Sequence, residues 1–119
     1  MARSRLAAGC LVLALSFGSI LAGCAGQHAQ ATARQACAHV ERGLAAEHKA
    51  ATVGPAQAAR LETEALDQMR AALPLAAVAA NADTTWQPLE ATLSESNRVP
   101  LRYLLPALAD QCAGSGNNG

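Results

Sequence analysis

Four cysteines and three histidines carry most of the reactive chemistry in this 119-residue chain. Thiolates and imidazoles bind soft or borderline metals, and a thiol beside a base can act as a nucleophile. The closest such pairing is Cys37-Ala38-His39, with His28 and His48 nearby in sequence. Side chains that cooperate on one helix sit three or four residues apart. Positions 37 and 39 point about 200° apart around a helix, and His39 and His48 about 180° apart. They cannot grip one ion while the segment is helical. The arrangement reads as a cysteine beside a surface histidine, with no metal site and no C-x-x-C-H for covalent haem.

Other routes to catalysis are equally thin. Downstream of residue 24 the serines are Ser94, Ser96 and Ser115, and none sits in a G-x-S-x-G context. Glu62, Glu64 and Asp67 form an acidic cluster flanked by Arg60 and Arg70. Paired carboxylates do acid–base work only when burial or a partner separates their pKa values, so this cluster reads as a solvated face of mixed charge. A Gly-rich phosphate loop is lacking too. Catalytic residues and cofactors are therefore not expected, and the chain is not expected to be an enzyme.

Cys24 has a different setting. Arg3 and Arg5 precede an apolar stretch from Leu6 to Leu21, followed by small residues and a cysteine: Leu21-Ala22-Gly23-Cys24. The order basic, apolar, small is that of an export signal. Gly9, Ser16, Gly18 and Ser19 weaken the stretch as a permanent span. Leu21-Ala22-Gly23-Cys24 resembles the lipobox of bacterial lipoprotein precursors. The resemblance implies cleavage of a signal peptide, residues 1–23, and attachment of diacylglycerol to the Cys24 thiol, with palmitate-type acyl chains holding the protein to a membrane. Two or more chains make a lasting anchor where one is marginal. The same segment also reads as an uncleaved signal anchor or as an ordinary secretory signal. All three readings place the remainder outside the cytoplasm. Inner and outer membranes both suit a lipidated Cys24.

Beyond Cys24 the chain is rich in alanine, the strongest helix former, and poor in aromatics, with only Trp86 and Tyr103; Phe17 lies in the signal segment. Loss of Arg3 and Arg5 leaves seven basic against nine acidic side chains, a net charge of −2. The sequence lacks the basic cluster that nucleic acid requires. Residues 24–31 are small and polar and read as a flexible tether, and residues 113–119 as a disordered tail. The folded part, residues 32–112, is near the size at which one core barely suffices. Two cysteines remain, Cys37 and Cys112, one near each end of that domain. In an oxidising compartment an even pair favours a disulfide; the alternative is two free, buried thiols.

The expected fold is all-α: a small antiparallel bundle of about four helices closed by one disulfide. The first helix spans Thr32 to Ala51, with Thr32 and Gln35 as a capping box. Cys37, Val40, Leu44 and Ala51 form its inner stripe, and Gly43 marks a close helix contact. Pro55 opens a second helix, with Leu61, Ala65, Met69 and Leu73 inward and a kink or short break at Pro74. Asp83-Thr84-Thr85 is a cap-rich turn before a third helix, about Trp86 to Asn97, with Trp86, Leu89 and Leu93 on one side. A corner at Arg98-Val99-Pro100 leads to the stripe Leu101, Leu104, Leu105, Leu108 and Cys112, bent at Pro106. Cys37 and Cys112 both fall on inner stripes, which places them within reach of each other.

The stretches Gln35-Ala36-Cys37-Ala38-His39-Val40 and Ala109-Asp110-Gln111-Cys112, with Trp86 between them, loosely resemble small Ala-rich lipoproteins of unassigned function from high-GC bacteria. That resemblance brings no catalytic residues. The functional expectation is a lipid-anchored extracytoplasmic module, held to a bacterial membrane through Cys24, with a binding or structural role at the envelope. An envelope protein partner would contact Tyr103 or Trp86, because aromatics dominate interface hot spots. Trp86 is also suited to the core, whereas Tyr103 lies off the leucine stripe and toward the surface. The alternative is a small-ligand carrier with an apolar pocket between helices opened by Pro74 and Pro106.

Overall fold

The computed structural model describes the backbone of residues 19–116 and the side chains of residues 26–115. Residues 1–18 of the expected signal peptide, the side chain of Cys24 and residues 117–119 of the expected tail lie outside the described residues. Among the described residues the fold is four helices and two 3-10 turns: α1 (Ser19–Ala50), α2 (Pro55–Ala82), α3 (Gln87–Glu95) and α4 (Leu105–Gly116). They form the expected antiparallel bundle. α1 pairs with α2, α3 packs on α2, α4 packs on α1, and α3 meets α4 to close the ring.

The α1–α2 seam is built from small residues. Ala29, Ala33 and Ala36 on α1 and Ala65, Ala72, Ala76 and Ala79 on α2 are fully buried. Their spacing of three, four or seven residues places each set on one helix face. Small side chains bring the two backbones close, and Gly43 is part of that approach. A Cβ at Gly43 would collide with Cε of Met69 and come within 3.3 Å of the Ala65 carbonyl oxygen. The bulk is supplied by few side chains: Met69, Leu89, Leu93, Leu108 and Val40 are the largest that are fully buried.

Several sequence expectations need correction. α1 starts well before Thr32: residues 24–31 are helical, and Ala29 is fully buried against the core. They are not a flexible tether, because an alanine stripe extends the seam with α2 by a further turn. Thr32 is consequently no cap. Its hydroxyl donates to the His28 carbonyl at 2.9 Å inside the helix. Second, of the kink or short break expected at Pro74, the break does not occur: α2 is continuous there. Pro74 is exposed, and the Arg70 carbonyl that loses its donor lies one turn back on the same solvated face. Third, Pro106 does not bend a long final helix. A 3-10 turn, Leu101–Tyr103, precedes α4, and Pro106 occupies the second position of α4, where its missing N–H is not needed. Residues 113–116, expected to open a disordered tail, instead continue α4, and the buried Ser115 hydroxyl donates to the Cys112 carbonyl at 2.7 Å. Ala51, placed on the inner stripe of the first helix, lies exposed in the turn after α1.

Elsewhere the local chemistry follows the sequence. Pro55 occupies the first turn of α2. Asp83 accepts a hydrogen bond from the Thr85 N–H at 2.9 Å; the Thr85 side chain, and then this N–H, hold its carboxyl below the usual range. Pro88 falls in the first turn of α3. None of the helices among the described residues is long and apolar enough to cross a membrane.

Candidate functional site

Cys37, midway along α1, and Cys112, near the end of α4, are joined in a disulfide with Cα atoms 5.4 Å apart. Both are buried. The bond links the first helix to the last and encloses α2 and α3 in the covalent loop. Its thiols are consumed, so neither Cys37 nor Cys112 is free to act as nucleophile or ligand. His39, beside it in sequence, pairs through Nδ1 with Gln68 Oε1 at 2.8 Å across the α1–α2 seam. Among the described residues no three His, Cys, Asp or Glu side chains gather as a metal would require.

Trp86 and Tyr103 have opposite fates. Trp86 is 9% exposed and belongs to the core cluster with Leu89 and Leu93. Tyr103 is 64% exposed, with the Arg102 guanidinium 4.6 Å from its ring centroid. A cation held over a ring in this way gives the patch both an apolar and a charged element. The acidic cluster on α2 is solvated: Asp67 bonds Arg70 at 3.0 Å, and both side chains are more than half exposed. Such a pair adds little to stability. Ser96 is buried, and its hydroxyl donates to the Leu93 carbonyl at 2.7 Å, where it caps α3.

Two concave regions accompany these residues. The larger, about 390 Å³, lies where the end of α1, the start of α2 and the corner after α3 meet. Glu47 and Glu62 stand on one side with Leu66, and Arg98, Leu101 and Arg102 on the other. Arg98 is drawn to Glu95 at 2.6 Å. Partial burial, and then the neighbouring Glu62 carboxylate, push the Glu47 carboxyl up, against the smaller pull of Arg102 and His48. Sequence reasoning missed Glu47, because its neighbours come from α2 and the corner, 15 or more residues away.

The raised Glu47 value has a consequence for stability. The folded chain holds this proton more tightly than the unfolded chain does. Ionising Glu47 therefore disfavours the fold, and that penalty grows as pH rises through the raised value. Glu47→Gln is expected to be more stable than the native protein at about pH 7, with the difference vanishing below about pH 4. Urea midpoints at the two pH values check this; a less stable variant at neutral pH would mean that the Arg102 attraction dominates.

The smaller region, about 210 Å³, lies between the start of α3 and the end of α4 and is lined by Trp86, Leu89 and Gln111 among others. Gln111 was assigned no role from sequence, and its importance rests on Thr92, a contact that only the fold creates. The chain matches no known protein family, no curated protein and no solved structure.

Proposed function

We propose that this chain is a lipid-anchored extracytoplasmic module with a binding or structural role at the envelope of a bacterium. The observation that carries the reading is Leu21-Ala22-Gly23-Cys24, placed after a basic and then an apolar stretch. The buried Cys37–Cys112 bond supports it, since such bonds persist in oxidising compartments outside the cytoplasm.

The start of α1 refines the picture. Among the residues whose side chains are described, Ala29 is the first of α1 that is fully buried in the core, and it comes five positions after Cys24. At about 1.5 Å per helical residue, that is roughly 8 Å of chain. An acylated Cys24 thus holds the bundle close against the lipid surface rather than on a long leash. Tyr103 and its stacked Arg102 are the exposed aromatic and cationic features offered to an envelope partner.

The test is metabolic labelling with palmitate, with membrane fractionation, of the native protein and Cys24→Ser. The native protein is expected to take up label and leave the membrane only with detergent. The variant is expected to take up none. Label retained by the variant, or a native protein that takes up none, refutes the anchor.

A further inference from the structure

One outward face of α2 changes character halfway along the helix. Arg60, Glu64 and Asp67 recur at intervals of three or four residues, and Ala71, Pro74, Val78 and Ala82 continue the same stripe. All of these residues are exposed. The first half of the stripe is charged. The second half is apolar, and α2 has no charged residue after Arg70. Val78 is 50% exposed and, with Tyr103, is one of two large apolar side chains left in the open among the described residues. Leu75 flanks it, partly buried against the core.

The apolar half lies at the end of the bundle nearest Cys24. α1 and α2 run antiparallel, and His39 is bonded to Gln68 across the seam. Ala29 is ten residues back from His39, and Val78 is ten forward from Gln68, so Ala29 and Val78 stand level. Cys24 is five residues further back, roughly 8 Å along the axis. Interfacial helices bury their apolar face about 5–10 Å into the headgroup and acyl boundary. α1 shows polar side chains at this end, among them Gln27, His28, Arg34 and Gln35, so the apolar contact falls to α2. Tyr103 stands at the opposite end, beside Arg102, which shares the larger hollow with Glu47 near the end of α1.

We propose that the α2 face made by Ala71, Pro74, Leu75, Val78 and Ala82 docks on the lipid surface that holds the Cys24 acyl chains. The bundle then leans on the bilayer through the second half of α2. The contact stops at Asp67 and Arg70, because a charge carried to that depth would lose its hydration without compensation. This inference rests on the lipid anchor at Cys24.

The test uses the acylated protein, extracted from membranes and reconstituted in vesicles of phosphatidylethanolamine and phosphatidylglycerol. Val78→Cys and Arg60→Cys, five turns apart on the one stripe, each provide a thiol for an environment-sensitive fluorophore. Cys37 and Cys112 are bonded and do not compete for the label. Both substituted positions are exposed, so the core is spared. The fluorophore at Val78 is expected to emit further to the blue on vesicles than in detergent-free buffer, and to be quenched by lipid with a nitroxide near the head of its acyl chain. At Arg60 neither change is expected. Flotation on a density gradient separates the two claims. Protein that does not float with the vesicles refutes the anchor, and the docking with it. Protein that floats while the Val78 fluorophore is not quenched refutes the docking alone, and a blue shift without quenching gives the face to a second copy or another protein. Equal quenching at both positions also overturns the proposal, since the charged half would then lie as deep as the apolar half.

Discussion

Replacing Cys37 and Cys112 together by alanine is expected to lower the unfolding free energy by roughly 4–5 kcal/mol. The bond spans 75 residues, so in the unfolded chain it restrains a loop nearly the size of the domain. Loop-closure entropy grows only with the logarithm of length, but at this length it is near the top of the range for a single bridge. Alanine is the cleaner replacement, because both positions are buried and a serine hydroxyl there would lack a partner. Urea unfolding of the native and doubly substituted proteins at one pH measures the difference. A loss below about 1 kcal/mol would mean that the unfolded chain is already compact enough to need no tie.

The loss would be felt because the core is lean. Domains of this kind are stable by only about 5–15 kcal/mol, and alanine burial contributes little area per residue. The few large buried side chains therefore carry a disproportionate share. Leu93 on α3 is 0% exposed and belongs to the same core cluster as Trp86, Leu89, Leu108 and Met69. Leu93→Ala is expected to cost about 2–5 kcal/mol, from lost transfer energy plus the cavity left behind. Thermal and urea melts check the figure. With the bridge reduced as well, the Leu93→Ala protein is expected to be largely unfolded at room temperature. A cost under about 1 kcal/mol would show that α3 is loosely docked and that the alanine seam alone holds the bundle.

The parts of this fold that were legible in the sequence share one property: contrast. Leu89 and Leu93 in α3 stand out against polar neighbours at helical spacing, and Leu108 and Cys112 in α4 against smaller or polar ones. That periodicity placed both cysteines inward before any contact was known. Pro55 and Pro88 announced helix starts for the same reason that proline fails elsewhere in a helix. Residues 24–31 had no such contrast. Ala29 is a core residue, yet alanine is equally common on the exposed faces of this chain, so its burial leaves no periodic trace. Pro106 was misread because proline's effect depends on its position within a helix, and the start of α4 was unknown. The two concave regions were beyond sequence reasoning for a different reason. Glu47 with Glu62, and Gln111 with Thr92, are pairs made by packing between helices, and neither spacing nor residue type marks them.

The central claim is a disulfide-closed bundle tethered by a lipid at Cys24. Intact mass of the protein extracted from membranes, alkylated with and without prior reduction, tests it most directly. The account predicts the mass of residues 24–119 plus a diacylglycerol, or plus a further N-acyl chain. It also predicts two alkylatable thiols that appear only after reduction. The full-length mass, with cysteines alkylated freely before reduction, would contradict both the tether and the bridge.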